Sequence, residues 1–423
     1  MAFTLDEITE FIVDTKHNTP AFVETGYPCI RTPNIGRGFF ILDDVRRVSE
    51  ETYRLWIGRA EPRPGDLVLA REAPVGNVAI IPPGLKLCIG QRTVLIRPRR
   101  DVVDSRYLNY LLLGDDVQNR MRALASGATV AHLNMSDIHK LAMPDFPSLA
   151  IQRKIAAILS AYDDLIENNL RRIKILEEMA QSLYREWFVK FRFPGHKKVQ
   201  MVKSELGPIP EGWGVERLET LVEEFIDYRG KTPKKLGGDW SESGIRVLSA
   251  LNVKQGRLVN LAKAKFVSEE LYKRWMKLEL RARDILMTSE APLGEVYFLP
   301  EKRRYCLSQR VFSIRPKTAM MQPSLLFFAL SSPEGQEQLK SRASGTTVLG
   351  IRQADLRRIP VIRPPAPLQQ HGDSMLRPSL MMIDLLQRKS DVLSRTRDFL
   401  LRKLISGELD VSELDIKVPE EAA

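Results

Sequence analysis

The feature that most constrains this chain is that it repeats itself. The stretch Asp66 to Pro98 and the stretch Asp284 to Pro316 lie 218 residues apart and agree at 13 of 33 positions. Ordinary residue frequencies would give about two agreements. At the same shift Glu72-Ala73-Pro74 matches Glu290-Ala291-Pro292, Gly76 matches Gly294, Cys88 matches Cys306, and Gln91-Arg92 matches Gln309-Arg310. Downstream, Ser126-Gly127 matches Ser344-Gly345, Thr129-Val130 matches Thr347-Val348, Asp137 matches Asp355, and Gln152 matches Gln370. Upstream, Gly26, Asn34 and Gly38 match Gly244, Asn252 and Gly256. A chain of 423 residues is therefore a tandem duplication, with a repeat of about half its length.

Each repeat has two parts. The first reads as a mixed α and β domain. Leu67-Val68-Leu69-Ala70 and Val78-Ala79-Ile80 are short strands joined through Ala73-Pro74-Val75-Gly76, Thr93-Val94-Leu95-Ile96 is a third strand, and Tyr107 to Leu113 begins a helix. The second part is different in kind. From Ile151 to about Phe188 there is no Pro or Gly, and apolar residues return at steps of three and four. That pattern predicts a long coiled-coil-type helix, ~57 Å at 1.5 Å per residue. In the second copy Leu376, Leu380, Ile383, Leu386, Leu393, Leu400 and Leu404 form a similar stripe, with Pro378 inside it opposite Ser160 and Gly372 nearby. Proline removes a backbone donor, so this helix is expected to be regular only after about Ser379. The Pro- and Gly-rich run from Phe193 to Gly212 reads as a connector, and the acidic residues after Gly407 as a loose tail.

Two helices with one apolar stripe each bury those stripes against each other. Antiparallel packing would place the attached domains at opposite ends, related by an approximate two-fold axis, and B-DNA has the matching symmetry. A separation of ~45 Å would span roughly 13 base pairs. Charge favours a polyanionic partner: 64 Lys and Arg stand against 53 Asp and Glu, a net +11. Lys86, Arg92, Arg97, Arg99, Arg100 and Arg106 cluster in the first copy, and Arg303, Arg304, Arg310, Arg315 and Lys317 in the second. The apolar runs are too short to cross a bilayer, the start has no signal-peptide pattern, and Cys29, Cys88 and Cys306 include no close pair. A cytoplasmic protein with no membrane partner is expected.

Several segments resemble the specificity subunit of type I restriction-modification enzymes. Phe146-Pro147-Ser148-Leu149-Ala150-Ile151-Gln152-Arg153-Lys154-Ile155 resembles the opening of that family's first long helix, and Ala180-Gln181-Ser182-Leu183-Tyr184-Arg185-Glu186-Trp187-Phe188 a segment near its end. Glu205-Leu206-Gly207-Pro208-Ile209-Pro210-Glu211-Gly212-Trp213 resembles the phrase that starts the second target-recognition domain, and Leu404-Ile405-Ser406-Gly407-Glu408-Leu409 the C-terminal end. The resemblance covers nearly the whole chain and departs from the pattern at Gly372 to Pro378.

The implied fold class is α/β (α+β). Two similar target-recognition domains are separated by two long helices packed as an antiparallel coiled coil, with a pseudo-two-fold internal repeat. The corresponding boundaries are a first domain over 1–147, a spacer helix over 148–192, a connector over 193–212, a second domain over 213–367, a second spacer helix over 368–407 and an acidic tail over 408–423. The resemblance implies a non-catalytic subunit that binds a bipartite, asymmetric site on double-stranded DNA, one domain to each half. Modification (methyltransferase) subunits, two of them, and restriction (motor-nuclease) subunits would assemble on it. S-adenosylmethionine, ATP and Mg²⁺ belong on those partners, with no cofactor in this chain. The competing reading is a coiled-coil adaptor that joins proteins without binding DNA.

The residues fit an absence of chemistry. Pro82-Pro83 and Pro364-Pro365 lack the Asn or Asp and the aromatic that frame a methyltransferase base-holding loop. Gly230-Lys231-Thr232 has Phe225 where a phosphate-binding loop needs its first glycine, and the five histidines show no metal-ligand spacing. Features common to both copies cannot discriminate two half-sites, so Gln91, Arg92, Ser126 and Thr129, with Gln309, Arg310, Ser344 and Thr347, are candidates for the sequence-independent DNA backbone. They suit a turn with a satisfied hydroxyl equally well. Discrimination belongs where the copies diverge: Lys16, His17, Asn18, Arg31 and Arg37 in the first, and Arg229, Lys231, Thr232, Lys234, Lys235 and Arg246 in the second.

Overall fold

A computed structural model of the chain describes residues 3–15, 18–127 and 131–419. It divides into two compact units, one made of 1–168 with 390–423 and the other of 169–389.

The first unit is organised by a four-stranded antiparallel sheet in the order Thr9–Asp14, Thr93–Pro98, Leu67–Ala70, Val78–Ile80. Leu67-Val68-Leu69-Ala70 is apolar throughout because both faces of this strand are covered. Leu67 and Leu69 pack with Tyr107, Leu108 and Leu111, while Val68 and Ala70 pack with Ile30, Ile81 and Leu95 on the other face. Period-two alternation thus sorts one strand between two cores. Leu5 and Ile8, fully buried, close the first core. A smaller sheet adds Arg47–Val48, Tyr27–Ile30 and Cys88–Ile89, with Cys29 opposite Cys88 in parallel register. The fold therefore brings together two cysteines that are far apart in sequence; both are free and buried.

The second unit repeats this plan. Its sheet runs Val222–Asp227, Val311–Pro316, Ile285–Thr288, Val296–Phe298, again antiparallel, and the irregularity between Thr9 and Phe11 recurs between Val222 and Glu224. Three strands stand 218 residues from their counterparts, but Thr9–Asp14 and Val222–Asp227 stand 213 apart. The second copy thus carries five more residues between Asp227 and Gly244 than the first does between Asp14 and Gly26. Another offset corrects the pairing of Gln152 with Gln370. Buried Gln152 accepts from the Asp104 backbone N–H at 2.9 Å and donates to Pro147 O. Gln369, not Gln370, does the same with Gln322 and Pro364.

Two long helices run through both units, Leu149–Tyr184, continued by a π turn Arg185–Val189, and Ala366–Ile405. Within the first unit Asp163 pairs with Arg397, while Lys154 reaches Ser412 and Leu414. Within the second, Ile173 packs with Ile383 and Leu386, and Phe188 lies against Gly372. In the second unit, as one number falls the other rises, so the helices are antiparallel there. The predicted stripe is only partly used: Leu165 and Leu170 are exposed, whereas Ile155, Ile173 and Ala180 are buried, and Leu159 and Tyr184, which the stripe left out, are buried as well.

Two further expectations are corrected. Helix Ala366–Ile405 is continuous through Pro378 rather than starting after Ser379. Leu376 and Leu380, one on each side of the proline, sit in the second unit's core with Phe188, Leu325 and Phe328. Burial of that face at ~1.5–3 kcal/mol per large side chain outweighs the ~3 kcal/mol of an interior proline. The segment after Gly407 is docked at least as far as Leu414 rather than loose: Val411 is 1% exposed in the first unit's core, and Lys154 Nζ donates to Ser412 O and Leu414 O at 2.6 and 2.8 Å. Glu420 and Glu421 lie outside the described residues.

Candidate nucleic-acid interface

The residues common to both copies converge. Asp66 and Arg97 form a bidentate, largely buried pair (2.9 and 2.8 Å), and Asp284 with Arg315 repeats it at 2.9 Å for both bonds. The hydrogen bonds to Asp66 raise the Arg97 pKa further. Gln118 donates to Gly76 O and Leu112 O, and Gln336 to Gly294 O and Leu330 O. Gln118 and Gln336 close the turn after Leu67–Ala70 and its twin, while the Asp–Arg pairs brace the other end of the same strands; all are internal framework. Burial pushes the Cys306 thiol up to about 12, and a hydrogen bond with Cys29, then burial, raises Cys88.

At one end of each sheet the common residues become exposed. Arg92 and Arg310 have positive φ (66° and 69°), and their side chains pair with Glu72 and Glu290. The Arg71 N–H donates to Arg92 O, the Leu133 N–H to Arg71 O, and Ser126 and His132 exchange two backbone bonds. In the second unit Ser289, Arg310, Ile351, Ser344 and Gly350 make the same ladder. In the second unit the ladder closes a tight loop after Ser344. Gly345 has φ 115° and a Cβ there would meet Val348 O at 2.2 Å, so only glycine fits. Thr346 and Thr347 at its tip are exposed. The structure thus brings Arg92 and Ser126 together, and likewise Arg310, Ser344 and Thr347. Gln91 is half-buried and Gln309 exposed beside them. Thr129 lies outside the described residues, as do Lys16 and His17.

Of the divergent candidates, several cations are already engaged. Arg229 grips Asp227 (3.0 and 2.9 Å), reaches Ile351 O at 3.3 Å and stacks 4.0 Å over the Phe312 ring. In the first unit Arg71, which the sequence did not single out, caps the equivalent Leu133 O at 2.9 Å. Lys231 Nζ donates to Trp275 O at 3.0 Å and sits 4.5 Å from the Tyr228 ring. The Thr232 hydroxyl accepts from the Lys235 N–H, Arg37 donates to Leu113 O, and Asn18 is exposed. Arg31 and Arg246 lie over Phe22 and Phe266, each with a buried, unpaired Nε. Sequence reasoning missed Arg46, exposed and 4.8 Å over Phe22, and Lys265, exposed and 4.7 Å over Trp240. The only signal was positional, since each cation lies 24 or 25 residues after the ring it covers.

Among the described residues, no group of three His, Cys, Asp or Glu side chains could hold a metal ion, and no helix is long and apolar enough to cross a membrane. A duplicated α/β domain carried on long helices, with basic and aromatic loops at the sheet ends, defines a class of paired recognition domains. The family described as type I restriction modification DNA specificity domain matches residues 3–178 and 210–395, and the chain belongs to it. The chain is similar to the type I restriction enzyme MjaIX specificity subunit of Methanocaldococcus jannaschii, 28% identical over 379 residues, 89% of this chain and 84% of that one. It is 24% identical to the putative MjaX specificity subunit of the same organism over 91% of this chain and 88% of that one. Among solved structures, the S subunit of a type I restriction-modification system from M. genitalium shares the fold, with TM-score 0.63 and 16% identity over 96% of this chain and 95% of that one.

Proposed function

We propose that this specificity subunit recognises a split, asymmetric sequence in double-stranded DNA, each repeat reading one half and the long helices setting the gap. The observation that carries this reading is the division of labour between the copies. Common residues hold the framework through contacts such as Asp66–Arg97 and Asp284–Arg315, while the segment between Asp14 and Gly26 differs in length and residues from the one between Asp227 and Gly244. One scaffold carrying two different loop sets is what two unlike half-sites require. The recognition domains on this reading span 1–147 and 213–367.

The chain carries out no chemistry itself. Two modification subunits holding S-adenosylmethionine, and restriction subunits using ATP and Mg²⁺, would assemble on it in the cytoplasm. Exposed apolar side chains on the helices, including Ile175, Met179, Met381, Val392 and Phe399, are suited to that docking. The test is binding by the chain assembled with its modification subunit. Tight, salt-sensitive retention of one split sequence is expected. Equal affinity for all duplexes, or none, would reject the reading, and the second result would favour the protein-adaptor alternative. Mapping the adenines methylated by the complex would give both halves and the gap.

A further inference from the structure

The cations that look most conspicuous in the sequence are neutralised in the structure. Arg92, Arg310, Arg229, Arg97 and Arg315 each face a carboxylate. Such groups give up an existing partner before they can hold DNA. Arg46 and Lys265 differ. Each is exposed, no carboxylate contact engages either among the described residues, and each is held instead by an aromatic face. A cation braced on a ring keeps its charge and loses conformational freedom before binding.

Their positions are the stronger argument. Val23 bridges Arg47 in the first unit, and Ser241 bridges Phe266 in the second, both antiparallel. Phe22 precedes the first bridging residue and Arg46 the second; Trp240 and Lys265 stand in the same two places. One site has therefore been kept in both units while its residues have changed: phenylalanine with arginine in one, tryptophan with lysine in the other. In the first unit Arg31 adds a second guanidinium 5.7 Å from the same ring. The platforms also adjoin the place where the copies differ in length, since the five extra residues fall between Asp227 and Gly244. Kept geometry with changed chemistry is what half-site discrimination needs. Arginine offers a planar fork to guanine or phosphate, lysine a single mobile point charge.

Resting on the reading of the chain as a DNA-recognition subunit, we propose that Phe22 with Arg46, and Trp240 with Lys265, form equivalent cation–aromatic platforms that contact bases and set the preference of their own half-site. The experiment uses the full chain assembled with its modification subunit. Affinities are measured for its native split site and for duplexes with single base-pair changes in each half. Arg46→Gln should lower discrimination at one or two positions of the first half by roughly 10- to 100-fold and leave the second half as in the wild type. Lys265→Gln should act on the second half alone. Arg46→Lys keeps the charge but not the fork, and should also relax the first half. Both sites are exposed, so folding is preserved, and an unchanged melting temperature checks this. If the wild type discriminates and these variants keep its pattern, the proposal is overturned. It is equally overturned if they weaken all sequences evenly and lower the salt slope by about one, the behaviour of a phosphate contact. A wild-type complex with no sequence preference would instead sink the DNA-recognition reading, and this proposal with it.

Discussion

Replacing Gly372 with alanine should destabilise the second unit, although the same change in an ordinary helix interior stabilises by ~1 kcal/mol. The sign turns on one neighbour. A Cβ at position 372 would lie 2.6 Å from Phe188 Cζ, 3.1 Å from Cε2 and 3.6 Å from Leu325 Cδ1. Carbon atoms pack comfortably at about 3.5–4.0 Å, so the ring must retreat by ~1 Å. It has little room, being 4% exposed and packed on Tyr184 and Trp213 with centroids 5.3 and 6.1 Å away. Overpacking of this kind costs ~1–3 kcal/mol. Set against the propensity gain, a net loss of up to about 2 kcal/mol is expected. Urea unfolding followed by tryptophan fluorescence reads this unit well, because Trp187, Trp213, Trp240 and Trp275 all belong to it. Adding Phe188→Leu should recover part of the loss as a coupling of ~1 kcal/mol. A higher midpoint for Gly372→Ala would refute the reasoning.

Three further perturbations test other contacts. Asp163→Ala removes the acceptor of Tyr110 and Arg397, both at 2.5 Å, and should lower the first unit's stability by ~2–4 kcal/mol in a urea titration; an unmoved midpoint would show the pairing to be incidental. Val411→Asp places a charge at a site 1% exposed and should make the segment after Ile405 rapidly cleavable in limited proteolysis, whereas wild-type cleavage rates would mean the tail is not docked. Glu177 and Arg257 form a bidentate pair at 2.8 and 2.6 Å about a quarter exposed, so a double-mutant cycle should give a coupling of ~1 kcal/mol, and zero coupling counts against it.

The sheet was legible because burial on both faces leaves unmistakable apolar runs, and duplication shows each of them twice. Leu67–Ala70 and Ile285–Thr288 are such runs. The offsets at Thr9–Asp14 and at Gln369 were not legible, since insertions fall in loops where no shared residue marks the shift. Pro378 misled because propensity is local and the packing of Leu376 and Leu380 is not. Among the candidate DNA contacts, charge alone misled in the same way. Arg229 has Asp227 two residues away, yet a sequence does not say that the two side chains turn toward each other. Arg92 and Glu72 meet only because the turn between two strands folds back. Arg46 and Lys265 were passed over for the opposite reason: the feature the copies share there is a position, and residue comparison sees only identities.

The first unit draws on residues 1–168 and 390–423, while the second is one uninterrupted stretch, 169–389. A ribosome releases these parts in order. The second unit can close as soon as Lys389 has emerged, whereas Ile155 and Leu159 must wait for Leu401, Leu404 and Val411 before their core is filled. The half of the molecule made first is thus completed last, and a nascent chain stalled between the two would expose greasy surface to chaperones on its earlier half alone.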